Sequence, residues 1–185
     1  MQLLTYPRAE QEMLPLIADD GRVVGQATRA YCHGGSMALH PVVHLHVVDS
    51  QGRLYLQKRS MRKDIAPGLW DTSVGGHVSY GEDLHSAVQR EASEEVGLTF
   101  DAHADEASGR LRFLFQYEWQ SSSERELVTA YALSHDGPLT PDLDEVDDGR
   151  FFTLPEVEQG LREGWFTEQF AAAEWPRLQE LHIVR

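Results

Sequence analysis

Residues Gly76 to Leu98, GHVSYGEDLHSAVQREASEEVGL, constrain this chain more than any other stretch. Leu84, Ala87, Val88, Glu91, Ala92 and Glu95 recur at the offsets that gather side chains on one face of a helix. The first turns of that stripe are apolar, so the face turns inward. Its last turns set Glu91 and Glu95 where core residues belong, with Glu94 at the edge. Partly buried carboxylates this close repel each other and lose hydration, and acids at a helix C-terminus oppose the macrodipole. Mg²⁺ or Mn²⁺, hard cations that prefer oxygen ligands, would remove the repulsion and the desolvation cost. The acids therefore read as a metal site rather than a solvated helix end.

At 185 residues the chain is expected to form one domain, residues 1–185, with a core over about 14–180 and residues 1–13 as a lead-in. A hydrophobic share of 41% suits a folded core, and no apolar run approaches a membrane span. The net charge of −14 argues against duplex nucleic acid or an anionic membrane as a partner. A small phosphorylated substrate would need a metal ion and a local basic patch to approach such a surface. Lys58, Arg59, Arg62 and Lys63 supply that patch and are the candidate phosphate-binding residues. Cys32 is the only cysteine, which excludes an intrachain disulfide. With no basic start followed by an apolar block at the N-terminus, a cytoplasmic location is expected. The sequence leaves a homodimer open.

Along the chain, Leu14–Ala18 and Arg22–Ala27 read as a hairpin around Asp20-Gly21. Thr28 to Ser36 reads as irregular. His40 to Asp49 alternates as a strand, with Val43, Leu45 and Val47 on one face and His40, His44 and His46 on the other. His44 and His46 either line the pocket or form a polar sheet face, and the polar face is the preferred reading. Arg53–Arg59 returns as a strand, and the helix is expected from about Gly81 to Val96, with Ser79 and Glu82 as a capping box. Thr99–Gly109 reads as a loop, Arg110–Gln120, Glu126–Ser134 and Val146–Leu154 as strands, and Pro155–Glu163 as a short helix. Thr167–His182 reads as a last helix that Pro176 kinks or divides. Trp70, Phe115, Trp119 and Tyr131 read as core. Interleaved strands and helices give an α/β (α+β) fold class.

Gly76, five residues, Glu82, seven residues, then Arg90-Glu91-Ala92-Ser93-Glu94-Glu95-Val96-Gly97-Leu98 resembles the Nudix box, G-x5-E-x7-R-E-U-x-E-E-x-G-U. The one departure is Ala92 at the first bulky aliphatic position. Asp144-Glu145-Val146 leading to Phe151-Phe152-Thr153-Leu154-Pro155-Glu156 is similar to the strand-to-helix passage that often closes such a domain. The resemblance implies a Nudix fold, a mixed β-sheet sandwiched between α-helices, and metal-dependent hydrolysis of a phosphoanhydride. By position, Glu91, Glu94 and Glu95 would hold Mg²⁺ or Mn²⁺, and the carbonyl of Gly75 or Gly76 would complete the shell. Arg90 would orient the acids, Glu82 would support the loop, and Glu91 or a glutamate from a later loop would help deprotonate water.

A second resemblance is to type 1 isopentenyl-diphosphate isomerases, carried by LYLQKRSMRKDIAPGLWDTSVGGH. It implies a second metal site at His33, His40, His77, Glu124 and Glu126. That family also needs a cysteine where this chain has Gly75, and glycine can neither donate nor accept the proton that allylic isomerisation moves. The chain therefore reads as an isomerase-like member that hydrolyses a nucleoside di- or triphosphate or another small organic diphosphate. Isomerisation and a non-catalytic phosphate-ligand-binding module are the rivals.

Overall fold

The computed structural model describes residues 11–62, 66–143 and 146–185. Strands β1 (Met13–Ile17) and β2 (Val23–Thr28) form the expected hairpin, with Gly21 at φ 79° in the turn. Residues 29–33, read as irregular, form a short helix, α1 (Arg29–His33), because the Thr28 hydroxyl accepts the Tyr31 N–H and caps it.

The main sheet has seven strands in the described residues. β3 (Leu39–Val48) is central, flanked by β8 (Arg125–Ser134) in parallel and by β6 (Val74–His77) and β4 (Leu54–Arg59) antiparallel. β7 (Leu111–Gln120) extends the sheet beyond β8, and β5 (Trp70–Asp71) and β9 (Val146–Phe152) pair with β4. One parallel pairing among antiparallel ones makes the sheet mixed, as expected.

The acid-bearing helix α2 (Leu84–Val96) lies on the face of β3 that carries Val43, Leu45 and Val47. It buries Ala87, Val88, Ala92 and Val96, and each valine contributes about 1.5–3 kcal/mol of burial. Gly97 ends it at φ 64°, a left-handed conformation cheap only for glycine. The helix starts at Leu84, not near Gly81. Asp83 caps it by accepting the Ser86 N–H, while the Ser79 hydroxyl bonds Glu12 instead of a helical amide. Residues 102–108, expected as loop, form α3 (Ala102–Ser108), capped by Asp101 and closed by Gly109.

The opposite face of the sheet packs Leu54, Leu56 and Phe152 against α4 (Leu154–Glu163) and the C-terminal residues Phe170, Trp175 and Leu178. The last helix is divided as Pro176 suggested. A π-helical turn (Gln169–Glu174) precedes α5 (Trp175–Glu180), and the Trp175 N–H reaches back to Phe170 O. Proline cannot fit against the carbonyl of a preceding regular turn, and the widened turn accommodates it. The sheet is thus sandwiched between α2–α3 and the C-terminal helices. No described helix is long and apolar enough to cross a membrane.

Candidate active site

The register of β6 on β3 sets the site. Gly76 stands opposite Val43 and Gly75 opposite His44, so the two glycines face opposite sides of the sheet. A Cβ built on Gly76 would lie 2.0 Å from the Glu91 carboxyl carbon. A Cβ on Gly75 would lie 3.2 Å from His44 Nε2. Glycine at both positions lets two sets of polar groups approach one strand.

On the Gly76 side, Arg90 is the organiser. It grips Glu82 with two hydrogen bonds (3.0 and 2.9 Å) and donates to Glu91 Oε1 (2.8 Å), Glu94 Oε2 (3.2 Å) and the His77 carbonyl (2.9 Å). Glu95 Oε2 accepts from Gln57 Nε2 at 2.7 Å and from the Gly75 N–H at 3.3 Å. Burial lifts the Glu91 carboxyl above its ordinary range, and the Arg90 charge and hydrogen bond oppose that lift. The Glu82 carboxylate accepts the Ser79 N–H at 3.1 Å, as its half of the capping box requires, and is also the main anchor of Arg90. The all-oxygen donor set of Glu91, Glu94 and Glu95 fits a hard divalent cation.

On the Gly75 side, the parallel register puts Glu126 directly beside His40, and His77 lies one strand away opposite Val42. The C-terminal residue of α1, His33, completes the group. Donor atoms of His33, His40, His77 and Glu126 all lie within 4.8 Å of one another. Glu124 joins through His33 Nδ1 at 3.1 Å, and His33 Nε2 meets His77 Nε2 at 2.9 Å. His40 donates from Nδ1 to the Ala38 carbonyl (3.0 Å), which leaves a buried Nε2 lone pair with no hydrogen-bond partner among the described residues. An orphaned imidazole nitrogen beside three further ligand-type side chains fits a transition-type cation such as Mn²⁺. Burial, then the Arg29 charge, lowers His33 to about 4, and the same two causes hold His77 well below its ordinary value. Burial lowers His40 too. The imidazoles are therefore neutral, the form able to ligate a cation. Burial, together with the Glu124 charge, raises Glu126 to about 7.

Both sets open into one cleft of about 1060 Å³. Of the expected phosphate-binding residues, Arg59 lines it and pairs with Asp71 at 3.2 Å. Lys58 does not, because it points to the alternate side of β4 from Gln57 and Arg59. Arg62 lies outside the cleft lining, bonded to Ser60 and the Leu143 carbonyl, and Lys63 lies outside the described residues. Arg29 supplies a cleft cation that the sequence reading missed, since α1 was not foreseen. Trp119, read as core, also lines the cleft, whereas Trp70, Phe115 and Tyr131 pack in the core.

His44 and His46 are not an exposed polar face. Both are buried against Glu174, a fully buried acid on the π-helical turn. His44 Nδ1 donates a hydrogen bond to Glu174 Oε1, which also accepts from the Tyr117 hydroxyl at 3.0 Å. Burial pulls His44 down, but the Glu174 charge and hydrogen bond outweigh it and hold the imidazole at about 9. Glu174 is lowered by its two histidines against the opposing effect of burial. The period-two pattern of β3 could have linked His44 to His40, but nothing in sequence pointed to an acid 130 residues away.

The NUDIX domain family model matches residues 38–175. An isopentenyl-diphosphate Delta-isomerase of Brevibacterium linens is 31% identical over 179 residues, covering 94% of this chain and 96% of the relative. The enzyme of the same name from Mycolicibacterium vanbaalenii is 30% identical over 178 residues, covering 93% and 94%. The crystal structure of DR0079 from Deinococcus radiodurans superposes with a TM-score of 0.71 at 26% identity, covering 86% of this chain and 95% of that one. The Nudix box residues, the mixed sheet between helices and the family match agree: this chain belongs to the Nudix family.

Proposed function

We propose that this protein is a divalent-metal-dependent phosphoanhydride hydrolase that cleaves a nucleoside di- or triphosphate, or another small organic diphosphate, by attack of water on phosphorus. The observation that carries it is the Arg90-organised carboxylate set, complete and open to a cleft lined by Arg29 and Arg59. Glu91, Glu94, Glu95 and the Gly76 carbonyl are the groups that would hold Mg²⁺ or Mn²⁺, with His33, His40, His77, Glu124 and Glu126 as a second set. A bound divalent cation would neutralise phosphate charge and acidify a coordinated water. Arg90 keeps the acids in place, Glu91 is the candidate base because burial raises its proton affinity, and Arg29 and Arg59 offset substrate charge.

The test is a panel of nucleotides and small organic diphosphates, assayed for phosphate and pyrophosphate with Mg²⁺ and Mn²⁺ separately. Release that Glu94→Gln and Glu95→Gln abolish supports the proposal; no release from any substrate overturns it.

Isomerisation is the second reading, favoured by the activity named for the relatives and by the assembled histidine side. Against it, Gly75 offers no side chain for proton transfer. Formation of dimethylallyl diphosphate from isopentenyl diphosphate would decide for it.

A further inference from the structure

The His44–Glu174 pair is not accounted for by either metal-type cluster. Glu174 is 0% exposed, and a carboxylate that deep persists only when its charge is balanced and its oxygens are bonded. Tyr117 gives one oxygen a hydrogen bond but no charge, so the balancing charge must come from a histidine. His44 supplies it, hydrogen-bonding Glu174 Oε1 through Nδ1. His46 is 3.6 Å from the other oxygen, beyond hydrogen-bond distance, and does not line the cleft. The ring of His44 is therefore fixed by its buried nitrogen, with its other edge turned toward Gly75 on the cleft wall. That wall has no side chain at residue 75 to cover the imidazole.

We infer that His44, oriented by Glu174, is a substrate-contacting residue that donates a hydrogen bond from Nε2 to a phosphoryl oxygen in the cleft. Glu174 is the positioning residue: it fixes the ring plane and balances the imidazolium charge. The bare Gly75 is what admits the ligand to that nitrogen. This inference rests on the phosphoanhydride reading for the class of ligand, not for its hydrolysis. It places a cationic donor on the imidazole side of β6, the face opposite to the one on which Glu91 meets Gly76.

Binding of methylenediphosphonate, a non-hydrolysable diphosphate, tests it by calorimetry in the presence of Mg²⁺. His44→Gln is expected to weaken binding about tenfold or more, the loss typical of one charge-assisted hydrogen bond. Glu174→Gln keeps the volume and an acceptor but removes the charge, and is expected to weaken binding less, about threefold. It also lowers the pH above which binding falls away, a change of pH profile that a purely structural acid would not produce. His46→Asn, altered in the same buried network but away from the cleft, leaves the affinity within twofold. Melting temperatures check that each variant is folded. Binding by His44→Gln within twofold of the unsubstituted protein overturns the inference. So does an equal loss in His46→Asn, or no binding of the diphosphonate at all. Binding that depends on His44, in a protein that hydrolyses nothing on the panel, overturns the hydrolase reading and leaves this inference standing.

Discussion

Gly75 and Gly76 are adjacent in sequence and face different chemistry. Gly76 looks toward α2, where every box acid is already held: Glu91 and Glu94 by Arg90, Glu95 by Gln57 and a backbone amide. Gly75 looks toward the imidazoles, where His40 keeps an unpartnered buried nitrogen and Glu126 is pushed up to about 7. The first side is preorganised by the protein's own donors. The second is assembled by strand register but left electrostatically incomplete, so a cation there would also stabilise the fold. The difference separates two things that a list of ligand-type residues merges, namely donors already satisfied by the protein and donors left for a ligand to satisfy.

The largest expected effect lies on the Gly76 side. Glu95→Gln, which retains the hydrogen-bonding shape but not the charge, should lower kcat about 10³-fold, roughly 4 kcal/mol of barrier, with a melting temperature close to that of the unsubstituted protein. His77→Gln should cost less, about 10- to 100-fold, and remove one Mn²⁺ per chain by metal analysis. An equal loss from both substitutions would break the comparison and make the two sides one catalytic unit.

Next in size is a pH effect confined to the Gly75 side. In the metal-free protein, Glu126 holds its proton up to about 7, against an ordinary value of 4.5 in the unfolded chain. Between those values the folded state binds more protons from this group than the unfolded state, so stability falls as pH rises through the window. The cost is absent below 4.5 and complete above 7, at most about 3 kcal/mol. Urea midpoints in EDTA, compared with Glu126→Gln, should show the unsubstituted protein losing more stability from pH 5 to 7.5. Added Mn²⁺ should erase that difference; a parallel pair of curves would show that Glu126 is not strained.

Much of the Gly76 side was legible because helix periodicity is local: offsets of three and four fix which acids share a face. The Gly75 side was legible only through resemblance, since His33, His40, His77 and Glu126 come from four elements joined by sheet register. Helices α1 and α3 were hidden because each is one or two turns long, too short for an apolar stripe, and is set by a single capping side chain. Lys58 was misplaced by reading a basic cluster as a patch although strand alternation separates it from Arg59. Glu174 had no local signal at all: an acid in an apolar C-terminal segment becomes informative only when the chain brings His44 and Tyr117 to it.

The smallest effects address the glycines themselves. An alanine at residue 76 would put its Cβ 2.0 Å from the Glu91 carboxyl carbon, so that carboxylate must swing away from Arg90. Losing this charged hydrogen bond should cost about 1.5–3 kcal/mol and a corresponding share of kcat. An alanine at residue 75 meets the edge of His44 at 3.2 Å, a contact that a shift of a few tenths of an ångström relieves. Its stability cost should be about 1 kcal/mol or less. If His44 contacts substrate, Gly75→Ala should still raise KM while leaving kcat nearly unchanged, because the methyl group meets the Nε2 edge of His44 on the face of β6 opposite to Gly76 and Glu91. A Gly75→Ala protein with an unchanged KM and a lowered kcat would place residue 75 with the chemistry of Gly76 and remove the distinction between the two faces.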